Sequence, residues 1–329
     1  MKIIRLMLLC TLLLALLSGC AAAPSPAGST EDAIVVGFSQ VGAESDWRNA
    51  NTRSMQQALS PENGFRLIID DAQQKKERQI TAIRNFIHQG VDYIVLAPTT
   101  EEGWDTVLGE AKAAGIPVIV IDRMIDQVTA TGNGAESLFT SWIGSDFRRQ
   151  GSTAVKWLED TFGDTPLRIV HLQGNYGSSA QMGRSASLDE GLQRNPHWTL
   201  AARDSGDFTQ AKGQELVEAY LAQGIEFNVI FAENDNMAYG AIDALKKAGI
   251  QPGKDVTIVS FDANRTALQM VMAGEINYDV ECNPLHGPRV RAVINQLEKG
   301  ETPPQFTYVE ESAFDAGSVN QEIIDARGY

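Results

Sequence analysis

The chain has 329 residues, a length that suits about two domains, and its 43% hydrophobic content is ordinary for a folded protein. It carries 27 basic against 42 acidic side chains, a formal net charge of −15. A surface this acidic repels nucleic acid, so we expect no nucleic-acid partner.

The first residues have the pattern of a secretion signal. Lys2 and Arg5 precede a Leu-rich run that is too short to span a bilayer core of ~30 Å. The motif LSGC that follows closely resembles the lipobox of bacterial lipoproteins. That resemblance implies a lipoprotein signal peptide over 1–19, cleavage before Cys20 and lipid on Cys20. Residues 20–33 predict a flexible tether. A plain signal peptide with an incidental cysteine is the alternative.

The cysteines predict a mature protein without an internal disulfide. Of the three cysteines in the sequence, Cys10 leaves with the signal and Cys20 carries the lipid. Cys282 then has no partner. It is either a reactive thiol or, more commonly for such a residue, a small buried hydrophobe.

From Ile34 onwards, short apolar runs alternate with amphipathic segments. We predict strands at Ile34–Phe38, Phe65–Asp70, Tyr93–Ala97, Val118–Asp122, Arg168–Leu172, Val229–Ala232 and Thr257–Phe261. Strands that are apolar throughout and are each followed by a helix predict parallel sheets covered on both faces.

The segments between the strands have helical periodicity. In QQKKERQITAIRNFIHQG, the apolar residues Ile80, Ile83, Phe86 and Ile87 share one face, and Gly90 ends the helix. GWDTVLGEAKAAG and DNMAYGAIDALKKAG repeat the pattern. The turn-rich segment Met124–Thr140 interrupts it, which suggests that the chain crosses there from one doubly wound α/β domain to another.

Polar side chains follow the carboxyl ends of the predicted strands, where open parallel sheets bind ligands. The cluster Glu44–Arg48 follows the first strand, and Asp122–Arg123, Asn234 and Asp262 follow later ones. Their planar carboxylate, amide and guanidinium groups can each grip two neighbouring hydroxyls, while the ring of Trp47 suits the C–H face of a sugar. We therefore predict a sugar cleft.

Each of these residues also has a simpler interpretation. Asp122, Asn234 or Asp262 taken alone is more often a helix N-cap. Trp47 alone is more often part of a core, and a lone arginine more often forms a solvated ion pair. The sugar cleft is favoured because the pattern recurs at one end of successive strands.

The sequence holds no motif that favours an enzyme. GxxxxGK[ST], GxSxG and a strand-linked GxGxxG are missing, and the four histidines show no metal-ligand spacing. We predict no catalytic residue, no metal site and no cofactor.

Six segments together resemble the periplasmic sugar-binding proteins of the ribose-binding type, the solute receptors of ABC importers. They are GFSQVGAESDWR, DAQQKKERQI, IDRMID, GDFTQAKGQE, AENDNMAYGAIDALKKAG and VTIVSFDA. The resemblance runs from about Val35 to Asn283 and is greatest to the galactofuranose-binding branch.

The resemblance implies a type I periplasmic binding protein fold, with two doubly wound Rossmann-like lobes joined by a three-strand hinge. The implied N-terminal lobe comprises 34–145 plus 282–310, and the implied C-terminal lobe comprises 146–281 plus 311–329. It also implies the sugar contacts, which are Glu44, Ser45, Asp46, Trp47, Arg48, Asp122, Arg123, Arg184, Phe208, Asn234, Asp262 and, near the hinge, Glu281. A core role is an equal alternative for Phe208.

The implied function is binding and release without chemistry. A lipid-anchored monomer on the periplasmic or extracellular side captures a monosaccharide, best galactofuranose, between its lobes and delivers it to the permease and ATPase subunits of an ABC importer. Its membrane contact is the lipid alone. The main alternative is a sensor that presents the sugar to a histidine kinase or chemoreceptor. A sugar-processing enzyme is a further alternative, and a repressor would need a helix-turn-helix where the signal peptide stands.

Overall fold

The computed structural model describes residues 33–126 and 137–329. The predicted signal peptide, Cys20 and all but the last residue of the predicted tether lie outside the described residues. Of the helices described, none is long and apolar enough to cross a membrane.

The strands of the described residues form two sheets of six. The first sheet contains β1 (Ile34–Gln40), β2 (Phe65–Asp71), β3 (Tyr93–Leu96), β4 (Val118–Asp122), β5 (Ser141–Gly144) and β11 (Phe306–Tyr308). The second contains β6 (Leu167–Gln173), β7 (Trp198–Ser205), β8 (Val229–Ala232), β9 (Thr257–Asp262), β10 (Tyr278–Glu281) and β12 (Ala313–Phe314). The orders are β11-β5-β4-β3-β1-β2 and β12-β10-β9-β8-β6-β7. Neighbouring strands run parallel, except that β12 is antiparallel to β10.

Helices cover the faces of both sheets. Those of the first lobe are α1 (Asp46–Ala58), α2 (Lys76–Gln89), α3 (Asp105–Ala113) and α9 (Gly287–Glu298). Those of the second are α4 (Phe147–Phe162), α5 (Ser179–Arg194), α6 (Gln210–Ala222), α7 (Asp235–Lys247), α8 (Arg265–Ala273) and α10 (Gln321–Ala326). Helix α2 buries Ile83 and Phe86 and ends, as predicted, at Gly90, whose φ of 64° is left-handed.

The core of each lobe lies on both sides of its sheet, because the strands are apolar throughout. In the first lobe, Val36 and Ile119 pack on one face, and Ile94 and Val120 pack on the other. Burial on both faces is what a parallel sheet with helical crossovers requires. Because both faces are buried, the ends of the strands are where polar side chains can cluster.

Within the described ranges, the chain passes between the lobes three times, after Gly144, after Glu281 and after Tyr308. This topology confirms the predicted fold of two doubly wound lobes joined by a three-strand hinge. The crossing suggested within Met124–Thr140 was wrong. The short strand β5 comes after that segment and still pairs with β4 of the first sheet. The residue-exact lobe boundaries stay a prediction.

Candidate functional site

A cavity lies between the two lobes, at the carboxyl ends of their parallel strands. It is partly open to solvent and is lined by side chains from both lobes. In the first sheet β1 lies between β2 and β3, and in the second β6 lies between β7 and β8, so the strand order reverses at these strands. Such a switch point is where doubly wound sheets bind ligands.

The structure brings ten of the twelve predicted site residues into the described lining of this cavity. They are Glu44, Ser45, Trp47, Arg48, Asp122, Arg123, Arg184, Phe208, Asn234 and Asp262. The lining also includes three residues that the sequence did not indicate, Phe147, Ala180 and Cys282. Phe147 is the first residue of α4, which is the first helix after a crossover. The sequence signal that could have identified it is an aromatic residue at the start of that helix.

The start of helix α1 positions the first wall of the cavity. The Ser45 hydroxyl caps α1 by accepting a hydrogen bond from the Arg48 N–H at 3.2 Å. The buried Arg48 guanidinium lies 2.9 Å from Asp122 Oδ2 and 3.3 Å from Glu44 Oε1, and it stacks 4.6 Å from the centroid of the Trp47 ring. Burial alone would lower the pKa of Arg48, but the charges of Asp122 and Glu44 outweigh it and raise that pKa.

One carboxylate oxygen in this wall has no protein donor. Among residues 33–126 and 137–329, no donor makes a hydrogen bond to Glu44 Oε2, although this atom is buried. Asp122 Oδ2, by contrast, already lies 2.9 Å from Arg48. A buried oxygen without a donor costs about 1–3 kcal/mol, so such atoms in a cavity favour a ligand that donates to them.

Three residues of the lining have a left-handed backbone that residues other than glycine rarely adopt. Their φ angles are 64° at Asp122, 61° at Phe208 and 114° at Asp262. Each position costs of order 1–3 kcal/mol, and such strain concentrates at ligand sites. The strain turns these side chains into the cavity at the ends of their strands.

Arg123 and Phe208 meet across the cleft from opposite lobes. The guanidinium of Arg123 lies 5.3 Å from the centroid of the Phe208 ring, and its Nη1 donates to the Thr99 carbonyl at 3.2 Å. Burial, together with the charge of Arg48, lowers the pKa of Arg123 to about 10, which leaves it charged at neutral pH. Phe208 also packs in the core of the second lobe, so both of its expected roles are compatible with its position.

A glycine lets the Phe208 ring reach this place. A β-carbon at Gly174 would lie 1.9 Å from Phe208 Cζ, which is far inside van der Waals contact. Any larger residue at 174 would therefore push the ring out of its position.

Arg184 forms the opposite wall. Its Nε and Nη2 donate to Gln150 Oε1 at 3.0 and 2.7 Å, and its Nη1 donates to the Glu233 carbonyl. The guanidinium lies 4.6 Å from the centroid of the Phe261 ring. Its distance of 3.9 Å from Asp262 Oδ1 is long for an ion pair, so this pair is weak. Burial raises the pKa of the Asp262 carboxyl well above its ordinary value. This carboxylate is poorly compensated by the protein.

Asn234 and Asp262 differ in their local roles. Asn234 caps helix α7, because its Oδ1 accepts from the Met237 N–H at 3.0 Å while its Nδ2 donates to the Phe208 carbonyl at 3.0 Å. The N-cap interpretation therefore holds for Asn234. Helix α8, which follows Asp262, is instead capped by Asn264.

Asp46 and Glu281 lie outside the lining. Asp46 is exposed at the mouth, where its N–H and its carboxylate bind the side chain of Asn236 in the other lobe at 3.0 and 3.3 Å. Glu281 ends β10 and accepts hydrogen bonds from Arg327 Nη1 at 2.5 Å and the Tyr329 hydroxyl at 2.8 Å. Asp46 therefore joins the two lobes, and Glu281 fixes the C-terminal segment to the hinge.

The lobes are in contact around the cavity, so the structure is the closed form. Asn175 Nδ2 donates to Gln74 Oε1 at 2.7 Å, and the Met124 N–H donates to the Ser179 hydroxyl at 2.9 Å. Ligand-driven closure of such lobes is a hinge motion that absorbs its change in a few residues.

Two comparisons decide the family. The profile of the periplasmic binding protein domain matches residues 36–286. The galactofuranose-binding protein YtfQ of Escherichia coli (strain K12) is 36% identical over 294 residues, which cover 88% of this chain and 90% of that protein. The chain belongs to the periplasmic binding protein family. The predicted resemblance, including its galactofuranose-binding branch, is thereby confirmed.

Two solved structures to which the chain is similar contain furanose sugars. A Mycobacterium smegmatis protein in complex with β-D-fucofuranose is 40% identical with a TM-score of 0.81, and the match covers 87% of this chain and 92% of that one. The periplasmic binding component of the arabinose ABC transporter of Shewanella sp. ANA-3, bound to L-arabinofuranose, is 35% identical with a TM-score of 0.82, over 89% of this chain and 95% of that one.

Proposed function

We propose that this periplasmic binding protein captures a neutral monosaccharide in furanose form, best galactofuranose, and delivers it to an ABC importer. The observation that carries the proposal is the charge of the cavity. Its described lining pairs three arginines, Arg48, Arg123 and Arg184, with three carboxylates, Glu44, Asp122 and Asp262. A balanced set disfavours an anionic or cationic ligand. Carboxylate oxygens with remaining acceptor capacity, Glu44 Oε2 above all, beside guanidinium donors suit hydroxyl groups, which both donate and accept.

The binding mode follows from this arrangement. Sugar hydroxyls donate to Glu44 Oε2, Asp122 Oδ2 and the Asp262 carboxylate, and they accept from the guanidinium groups. Trp47 and Phe208 line the ring faces. Because both lobes contribute, the sugar stabilises the closed form, and the importer's membrane subunits recognise that form. No bond is made or broken.

The choice of a furanose rests on relatives at 35–40% identity that are named for, or were solved with, galactofuranose, fucofuranose or arabinofuranose. Importer delivery rests on the same relatives, one of which is named as part of an ABC transporter. The lipid anchor on Cys20, the periplasmic or extracellular location and the monomeric state belong to the proposal as well.

Calorimetry of the purified protein against galactofuranose, arabinofuranose, galactose, ribose and galactose-1-phosphate tests the ligand class. We expect one site per chain, tightest binding of a furanose, no binding of the phosphate ester and chemically unchanged sugar after release. Tighter binding of the phosphate ester, or no binding of any sugar, would contradict the proposal.

Cell fractionation tests the anchor. The protein should stay with the membrane, and the Cys20→Ser variant should be released into the soluble fraction. Uptake of labelled furanose should require the protein. If a strain without the protein transports the sugar normally but loses a transcriptional response to it, the sensor alternative replaces importer delivery.

A further inference from the structure

A single carboxylate, Glu311, connects all three crossovers of the hinge, because it lies on one of them and accepts hydrogen bonds from the other two. Glu311 itself lies on the third crossover, between β11 and β12. Its Oε1 accepts from the Ser145 hydroxyl on the first crossover at 2.6 Å and from the Asn283 N–H on the second at 2.9 Å.

The other oxygen of this carboxylate faces the cavity wall. Glu311 Oε2 accepts from Gln150 Nε2 at 2.6 Å. Gln150 Oε1 in turn accepts two hydrogen bonds from the Arg184 guanidinium, at 3.0 and 2.7 Å. Gln150 is 3% exposed and Arg184 2% exposed, so water does not compete effectively for the two hydrogen bonds between them. The Glu311–Gln150 bond is half-buried.

The direction of the chain of hydrogen bonds is fixed by chemistry. A guanidinium has only donors, so the Gln150 oxygen must face Arg184 and its NH₂ group must face Glu311. A ligand that holds the Arg184 guanidinium thereby holds the Gln150 amide in the orientation that binds the Glu311 carboxylate.

Opening the hinge changes the backbone angles of the crossovers, which moves Ser145, Asn283 and Glu311 relative to one another. The carboxylate therefore favours the one arrangement in which all its donors converge, and this is the closed form seen here. We propose that Glu311 is a positioning residue that couples occupancy of the cavity, through Arg184 and Gln150, to closure of the hinge. This inference rests on the proposed function only for the identity of the ligand.

The test uses the Glu311→Gln variant with Glu310→Gln as its matched control, because Glu310 is the adjacent residue and is exposed. An amide at 311 has one oxygen and one NH₂ group, so its NH₂ group must face either the Gln150 NH₂ group or the Asn283 N–H, and one of these hydrogen bonds is lost. We expect calorimetry to show about tenfold weaker furanose binding for Glu311→Gln, within the range usual for coupled sites, and a change under about twofold for Glu310→Gln.

The exchange variant Gln150→Glu/Glu311→Gln separates coupling from general damage. It restores a carboxylate opposite an amide and still offers an acceptor to Arg184, but it loses the Gln150 Nε2 hydrogen bond to the Glu281 carbonyl, so it should recover part of the lost affinity. Furanose binding by Glu311→Gln within twofold of the parent, or an exchange variant that binds no better than Glu311→Gln, would overturn the proposal.

Two further measurements test the proposal if Glu311→Gln does not fold or if the parent protein binds no furanose. If Glu311→Gln does not fold, Ser145→Ala removes one donor from the hinge and should weaken binding by a smaller factor, and normal binding by it would overturn the proposal. If the parent binds no furanose, the proposed function fails. Spin-label distances between the lobes then decide the hinge proposal alone: Glu311→Gln must open the ligand-free protein and Glu310→Gln must not.

Discussion

The cavity and the hinge both contain buried carboxylates, but their partners differ. In the cavity, Glu44 Oε2 has no hydrogen bond from any described residue, and Asp262 has only a distant arginine. At the hinge, Glu281 and Glu311 receive donors on both oxygens. Burial alone therefore does not distinguish a ligand contact from a structural residue. A carboxylate that lines the cavity and also lacks a close protein donor on one oxygen is the better indication of a ligand contact.

The largest effect is expected from removing a cavity charge. We expect Asp262→Asn to weaken furanose binding by about 1–3 kcal/mol, because sugar hydroxyls lose a charged acceptor. We also expect the ligand-free protein to unfold at the same or a higher temperature, since burial raises the pKa of this carboxyl and so disfavours its charged form.

Calorimetry and thermal unfolding check this pair of results, with Asp164→Asn as the exposed control of equal charge change. If Asp262→Asn has unchanged affinity or clearly loses stability, Asp262 has a structural role like Glu281 and Glu311. That result would contradict the contrast between the cavity and the hinge.

The corresponding change at the hinge, Glu281→Gln, should lower stability more than it lowers the affinity for furanose. Glu281→Gln weakens the acceptor of Arg327 and Tyr329, whose contacts hold the C-terminal segment, so we expect a loss of about 1–3 kcal/mol in the free energy of unfolding. Binding should change less than in Asp262→Asn. Denaturant unfolding measures the loss, and Glu275→Gln, which breaks an exposed pair with Lys246, should cost at most about 1 kcal/mol.

A less specific effect, on stability and binding together, is expected where the cavity borders the core. Gly174→Ala places a methyl group against the Phe208 ring, so we expect about 1–3 kcal/mol of overpacking strain together with weaker furanose binding. Gly109→Ala is the control, because no described atom lies within 4 Å of its added β-carbon in the middle of α3, and it should stabilise by about 0.5–1 kcal/mol. Stability loss without any change in binding would leave Phe208 as a core residue alone.

A separate effect, on the pH dependence of stability, concerns a carboxyl pair behind the cavity. Asp235 and Asp279 are both buried, and Asp279 Oδ1 accepts a hydrogen bond from the Ala263 N–H, next to Asp262. Burial raises the pKa of Asp279 from 3.8 to about 7. The folded protein therefore holds this proton more tightly than the unfolded chain.

The sign of the pH dependence follows. This group contributes stability that is fully present below about pH 4 and is lost as the pH rises through about 7. Asp279→Asn should flatten the decline in the free energy of unfolding between these pH values. An equal slope in the parent and the variant would contradict the raised pKa.

Most of the fold could be predicted because long apolar strands and periodic helices carry a strong local signal. All seven predicted strands are present, and β4 and β8 have the predicted bounds. The strands that were missed carry a weak signal. β5, β10, β11 and β12 have two to four residues each, and β7 is a partly exposed edge strand. Missing β5 caused the error about the first crossing.

The site was predictable in its location and less so in its details. Chain direction places Glu44–Arg48, Asp122 and Asp262 at the same edge, so their approach to one cavity follows from the topology. The partner of Glu281 is 46 residues away, in the C-terminal segment, and that pairing depends on tertiary structure. The same holds for Asp46, which meets Asn236 only when the lobes close.

The most direct measurement is a crystal structure of the protein grown with galactofuranose. The account predicts one furanose ring between the lobes, with sugar oxygens within about 2.5–3.0 Å of Glu44 Oε2, Asp122 Oδ2 and the Asp262 carboxylate. The hinge carboxylates Glu281 and Glu311 should keep their protein partners. A sugar bound elsewhere, or held in the cleft without contact to those oxygens, would contradict the central claim.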